Sequence, residues 1–338
     1  MKTNMKLVRS KRRLLTTLLL LCCISWCTAN EGLGSRNKYG FNLRETLTET
    51  KIPFELVDNL IVIPVQINKQ VTVKAILDTG VRSFILYGKQ YIHLDEMNFE
   101  NSREVEVTGL GTGRNDQGVL SFGNNLEVEG VEGRGIAMVH VLDQIPFKLL
   151  RENNIEAIFG YQIFSRFVVE IDYQNLEITV KDPDYVAKTD YSFSLPIKII
   201  DTKPYVEVEL FNGKEKKTFN LLLDTGASSE ILLYEQAFQG YLSSTYTSRK
   251  VQLGEGFNGL IVGKKGVMDS MNFLEMELQE VPFYAVSMKS TKNKFIKEKI
   301  IHGLIGANVL SKYKVTFDYV NHRAYFEKGE SGATLLGS

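Results

Sequence analysis

The chain has 338 residues, with 40 Lys+Arg against 40 Asp+Glu and 43% hydrophobic residues. That length suits two domains, and a balanced charge without low-complexity tracts excludes disordered, fibrous and collagen-like classes. The absence of a basic excess also argues against a nucleic-acid partner.

Residues 1–29 read as a secretory signal. Lys2, Lys6, Arg9, Lys11, Arg12 and Arg13 precede a mostly apolar run from Leu14 to Cys27, which is too short to span a membrane. Cleavage after Ala29 fits the small residues Cys27 and Ala29. Alternatively, Ile24-Ser25-Trp26-Cys27 resembles a degenerate bacterial lipobox, which would make a lipidated Cys27 the one membrane attachment. Either way the chain is expected to be exported, as a periplasmic or extracellular protein or as a membrane-anchored lipoprotein. All three cysteines lie in this leader, so the remainder relies on its core rather than on disulfides. Losing six cations and no acid leaves it with a formal charge of −6.

Residues 30–50 form a polar lead-in segment. Beyond it, Val71-Thr72-Val73-Lys74-Ala75 alternates as a half-buried strand and runs through Ala75-Ile76-Leu77 into Asp78-Thr79-Gly80. Strand-like Glu104-Val105-Glu106-Val107 leads into Gly109-Leu110-Gly111-Thr112-Gly113. Short helices are plausible around Tyr161–Arg166 and Ala307–Lys312, and Phe167–Ile171 alternates again. Polar residues between Asp182 and Tyr191 interrupt the apolar pattern, which divides the chain into lobes at 51–187 and 188–338. In the second lobe Tyr205–Leu210 alternates, and Asn212-Gly213 signals a hairpin turn. Leu221-Leu222-Leu223 then enters Asp224-Thr225-Gly226, followed by Leu253-Gly254-Glu255-Gly256 and the alternating run Tyr313–Phe317. No long amphipathic helix separates the strands, so a two-layer α/β fold is excluded and an all-β class is expected.

A shift of 146 residues superposes Asp78 on Asp224. The same shift brings Ile158-Phe159-Gly160 onto Leu304-Ile305-Gly306, Phe164-Ser165-Arg166-Phe167 onto Leu310-Ser311-Lys312-Tyr313, and Asp172-Tyr173 onto Asp318-Tyr319. One Asp-Thr-Gly is weak information; two with matched downstream landmarks indicate an internal repeat.

A strand ending in a tight Asp-Thr-Gly turn projects a carboxylate from its tip, while the glycine admits a second backbone. Two such tips face to face cannot both ionise, so one acid stays protonated while the other acts as base on a water attacking a peptide carbonyl. The Thr79 and Thr225 hydroxyls can hydrogen-bond across the pseudo-twofold interface and fix the turns. The segments containing Gly111, Thr112 and Gly113, and Gly254 with Glu255, are candidate flaps over an extended substrate, with ordinary hairpin turns as the plainer reading. The sequence after Gly113 is polar turn rather than helix, which disfavours a phosphate-cradling loop. His93, His140, His302 and His322 have no metal-ligand spacing, and no metal or cofactor is expected. A Gly-x-Ser-x-Gly elbow is also missing.

With both Asp-Thr-Gly turns, Ala227-Ser228 after the second, and the apolar-apolar-Gly elements ending at Gly160 and Gly306, the chain resembles the aspartic peptidases in their duplicated single-chain form. It is more similar to bacterial retropepsin-like proteases than to disulfide-bearing secreted pepsins. The resemblance covers about residues 55–328. It implies a bilobal acid-protease β-barrel fold, an inter-lobe cleft, and Asp78 with Asp224 as the catalytic dyad, supported by Thr79, Gly80, Thr225, Gly226 and Ser228. The first turn departs from the family pattern: Val81-Arg82 replaces Ala-Ser, losing a serine hydroxyl expected to support the outer carboxylate oxygen. Arg82 either reaches the dyad, favouring ionised Asp78, or points into solvent. The leading expectation is an exported aspartic endopeptidase, monomeric because both halves share one chain, acting on polypeptide. The alternative is a noncatalytic peptide-binding or interaction protein on the same scaffold.

Overall fold

The computed structural model describes residues 39–93, 102–107, 109–110, 115–145, 147–185, 191–238, 240–241, 246–256, 259–287 and 294–328. The expected signal segment and Cys27 lie outside the described residues. Among the described residues strands dominate, as the alternation predicts, and assemble into three sheets.

In the first half, Val131–Val141, Phe84–Tyr87, Ile155–Phe159, Val71–Leu77, Leu60–Ile67 and Asp116–Val128 pair in succession, and the last returns to pair with the first. The second half repeats this ring with Lys203–Phe211, Lys216–Asp224, Gly303–Gly306, Ile231–Tyr234, Met276–Val286 and Gly259–Phe273. A closed ring leaves few exposed edges and encloses a core. Side chains such as Val65, Ile67, Phe84 and Phe159 in one half, and Leu210, Leu223, Leu233 and Ile305 in the other, are almost completely buried.

The third sheet takes three strands from each half, in the order Phe193–Pro196, Arg323–Lys328, Tyr313–Asp318, Val168–Asp172, Glu177–Lys181, Glu49–Pro53. Its pleat sends Val169, Ile171, Val315 and Phe317 into the common core. On the opposite face Glu170 accepts from Lys181 at 2.8 Å and lies 3.1 Å from Lys314 of the other half. This sheet ties the halves together, and the described residues all fall in one compact unit.

The short helices Tyr161–Phe164 and Ala307–Leu310 follow the apolar-apolar-Gly elements, where the sequence placed them. The lead-in is less plain than its composition suggested. Gly40–Leu43 pairs with Val131–Val141, and Glu49–Pro53 forms the edge of the shared sheet. Phe41 and Leu43 are buried, but two apolar residues in a polar stretch give too short a pattern to read.

Candidate active site

Each aspartate ends a strand held on both sides. Val71–Leu77 runs parallel to Ile155–Phe159, and the Asp78 amide donates to the Phe159 carbonyl at 2.8 Å. Lys216–Asp224 runs parallel to Gly303–Gly306 in the same way. The chain must turn sharply beyond each strand, which Thr-Gly permits. Gly226 is also a close approach: a Cβ there would lie 2.1 Å from the Asp78 carboxyl carbon, so any side chain would collide with the first aspartate.

The two threonines lock the turns together. Thr79 donates its hydroxyl to the Leu223 carbonyl at 2.6 Å, and Thr225 donates to the Leu77 carbonyl at 2.9 Å. Each hydroxyl also accepts the other threonine's amide at 3.1 Å. Both residues are fully buried, so these bonds form where no water competes for them.

Asp78 and Asp224 are 7% and 9% exposed. Their Oδ1 atoms accept from the amides of Gly80 at 2.6 Å and Gly226 at 3.0 Å. Burial raises the proton affinity of Asp78, opposed by the Gly80 amide, a hydrogen bond with Asp224 and the Lys203 charge. Burial raises Asp224 further above the ordinary carboxylate range, and the Asp78 charge adds to it. Both carboxyls are pushed up by burial, so the pair retains one shared proton, one member acting as acid and the other as anion. Burial and the carboxylate charges push up the phenols of Tyr319, Tyr205 and Tyr234, which stay neutral beside the dyad.

The dyad lies in a cleft of about 1590 Å³ whose walls come from both halves, with Ile76, Leu120, Leu222, Leu232 and Leu304 among its apolar lining. Leu110, Gly254 and Glu255 also line it. The candidate flap residues Gly111, Thr112 and Gly113 lie outside the described residues. The hairpin formed by Tyr246–Gly256 and Gly259–Phe273 reaches over to the first half. There Glu255 accepts from the Lys148 amide at 2.7 Å, and a Cβ on Gly256 would meet the Leu110 carbonyl at 2.1 Å.

One expectation at the turns needs correction, and one open choice is decided. Ser228 does not support the dyad in this arrangement: its hydroxyl donates to Asp58 at 2.8 Å. Arg82 does not act on the carboxylates: its side chain is exposed, as the solvent reading expects, and its guanidinium pairs with Asp201 of the other half. The cation whose charge reaches both aspartates is Lys203, which sequence reasoning did not single out. Only the Asp201-Thr202 turn could have drawn attention to it, and nothing in that dipeptide says where the turn points.

Residues 206–309 match the family model described as Aspartyl protease. The matched span holds the Asp224 turn and Gly303–Gly306, and it supports an aspartyl protease domain with peptidase chemistry in this part of the chain. No curated protein matches the chain.

Proposed function

We propose that the chain is an exported aspartic endopeptidase of the duplicated, retropepsin-like type, which hydrolyses extended polypeptide in the inter-lobe cleft. The observation that carries this reading is the buried pair Asp78–Asp224, delivered by equivalent turns and fixed by reciprocal threonine bonds at one cleft. The ionised member of the pair, Asp78 or Asp224, takes a proton from a water as it attacks the scissile carbonyl. Its protonated partner donates to the developing oxyanion, and the pair then protonates the leaving nitrogen. The threonine bonds hold both carboxyls in place, which removes reorganisation from the barrier.

The hairpin Tyr246–Phe273 acts as a flap that offers backbone hydrogen bonds to the substrate. A second, noncatalytic reading rests on Arg82 and on the divergent first turn; Arg82 engages Asp201 rather than the carboxylates. Export, and the choice between cleavage after Ala29 and lipidation of Cys27, rest on the leader pattern, and a single chain carrying both aspartates needs no second copy.

The test is incubation of the leader-free protein with a diverse peptide library from acidic to neutral pH, beside Asp78→Asn and Asp224→Asn. Cleavage by the wild type and by neither variant is expected; cleavage that survives either substitution sinks the dyad mechanism. Mass spectrometry of the secreted N-terminus separates an Asn30 start from a lipidated Cys27.

A further inference from the structure

Residues 82 and 228 occupy the same place in the two turns, and each crosses to the other half. Ser228 donates to Asp58, and Arg82 pairs with Asp201. Both acceptors sit at the tips of two-residue hairpins in left-handed conformations: Asp58-Asn59 with φ of 52° and 62°, and Asp201-Thr202 with φ of 49° and 70°. The two clasps are therefore equivalent in position and unequal in charge.

The residue after each tip also lines the cleft. It is buried Leu60 in the first half and Lys203 in the second. Lys203 Nζ lies 3.9 Å from Asp201 Oδ2, a loose approach, while Arg82 takes Oδ1 of the same carboxylate. Asp201 is thus shared by the two cations, with the arginine on one oxygen and the lysine holding only the looser contact to the other. Facing the dyad from the surrounding elements are Lys203 and the neutral phenols of Tyr205, Tyr234 and Tyr319; Asp58 is taken up by Ser228.

We propose that Arg82 is a positioning residue: by occupying Asp201 across the interface between the halves, it leaves the Lys203 ammonium free to face Asp78 and Asp224 and extends activity toward lower pH. This inference rests on the peptidase reading. The base form of the dyad carries one negative charge, and a nearby cation stabilises it against protonation. If Arg82 is removed, Asp201 closes on Lys203 and withdraws that cation. If Asp201 is neutralised instead, the same clasp breaks, yet the lysine keeps its charge.

That opposition supplies the test. The pH dependence of kcat/KM on one peptide substrate is measured for Arg82→Ala, Arg82→Lys, Asp201→Asn and Lys203→Met, alongside carbon-13 NMR titration of the aspartate carboxyls. Lys203→Met should lose about tenfold in kcat/KM on the acid limb, the effect of one unit charge near a partly solvated site. Arg82→Ala should move that limb in the same direction by less, Arg82→Lys should keep the wild-type profile, and Asp201→Asn should leave the limb in place or move it to lower pH. Arg82→Ala and Asp201→Asn moving the profile alike would mark a simple tether and overturn the proposal, as would an unchanged limb in Lys203→Met. If the wild type cleaves no peptide, the peptidase reading fails by itself, while the carboxyl titrations still report whether these three residues act on the dyad as described.

Discussion

Replacing Thr225 with valine changes one hydroxyl for a methyl of similar size at a position with no solvent access. That hydroxyl donates to the Leu77 carbonyl at 2.9 Å and accepts the Thr79 amide at 3.1 Å, so valine strands two buried backbone groups in the opposite half. Each stranded group costs about 1–3 kcal/mol, giving an expected loss of about 2–6 kcal/mol. At a shift on the order of 2 °C per kcal/mol for a chain of this size, the melting temperature should fall by about 4 °C or more. Thr225→Ser keeps the hydroxyl and should recover most of the loss. Thr79→Val should match Thr225→Val, and the double variant should cost less than the sum because both hydroxyls belong to one network. Thermal and urea unfolding measure all four variants. A Thr225→Val protein that melts with the wild type would refute the claim that these bonds hold the turns together.

Asp224→Asn should abolish cleavage while making the fold more stable at neutral pH. A carboxyl whose folded proton affinity is raised by burial favours the native state least once both forms have lost the proton, so its burden begins as pH rises above 3.8 and grows from there. Urea midpoints of the two proteins should coincide in strong acid and diverge as pH rises; a variant less stable at neutral pH would contradict the assignment. At Glu170 burial opposes ionisation, but Lys181 and Lys314 outweigh it and hold the carboxyl below its usual range. Its contribution is present above the ordinary glutamate value of 4.5 and disappears as pH falls below it. Glu170→Gln should therefore cost about 1–3 kcal/mol at neutral pH and flatten the acid end of the stability curve, as read by denaturation at several pH values. Glu255→Ala removes the acceptor of the Lys148 amide and should speed hydrogen exchange of that amide about fivefold, the equivalent of about 1 kcal/mol. Unchanged exchange there would show that the contact holds nothing.

Much of the architecture was legible because its signals are local. Alternation in Val71–Ala75, Tyr205–Leu210 and Tyr313–Phe317 reads directly as strands with one buried face, and each of the three lies within a strand of the structure. The Asp-Thr-Gly repeat was equally plain, since a turn that must admit another backbone permits few sequences. The strands at Gly40–Leu43 and Glu49–Pro53 were missed because their burial comes from sheets built far away in sequence, rather than from their own composition. Glu255 drew notice for its glycine neighbours, yet its carboxylate serves a contact 107 residues away.

The all-β class and the two Asp-Thr-Gly turns 146 residues apart are legible in the sequence by itself, because strand alternation and tight turns are properties of neighbouring residues. Tertiary structure alone decided the company those aspartates keep. Arg82 finds Asp201 at a separation of 119 residues, and Ser228 finds Asp58 at 170. The shared six-stranded sheet sets how the halves face each other, and that orientation turns an unremarked Lys203 into the cation beside the dyad.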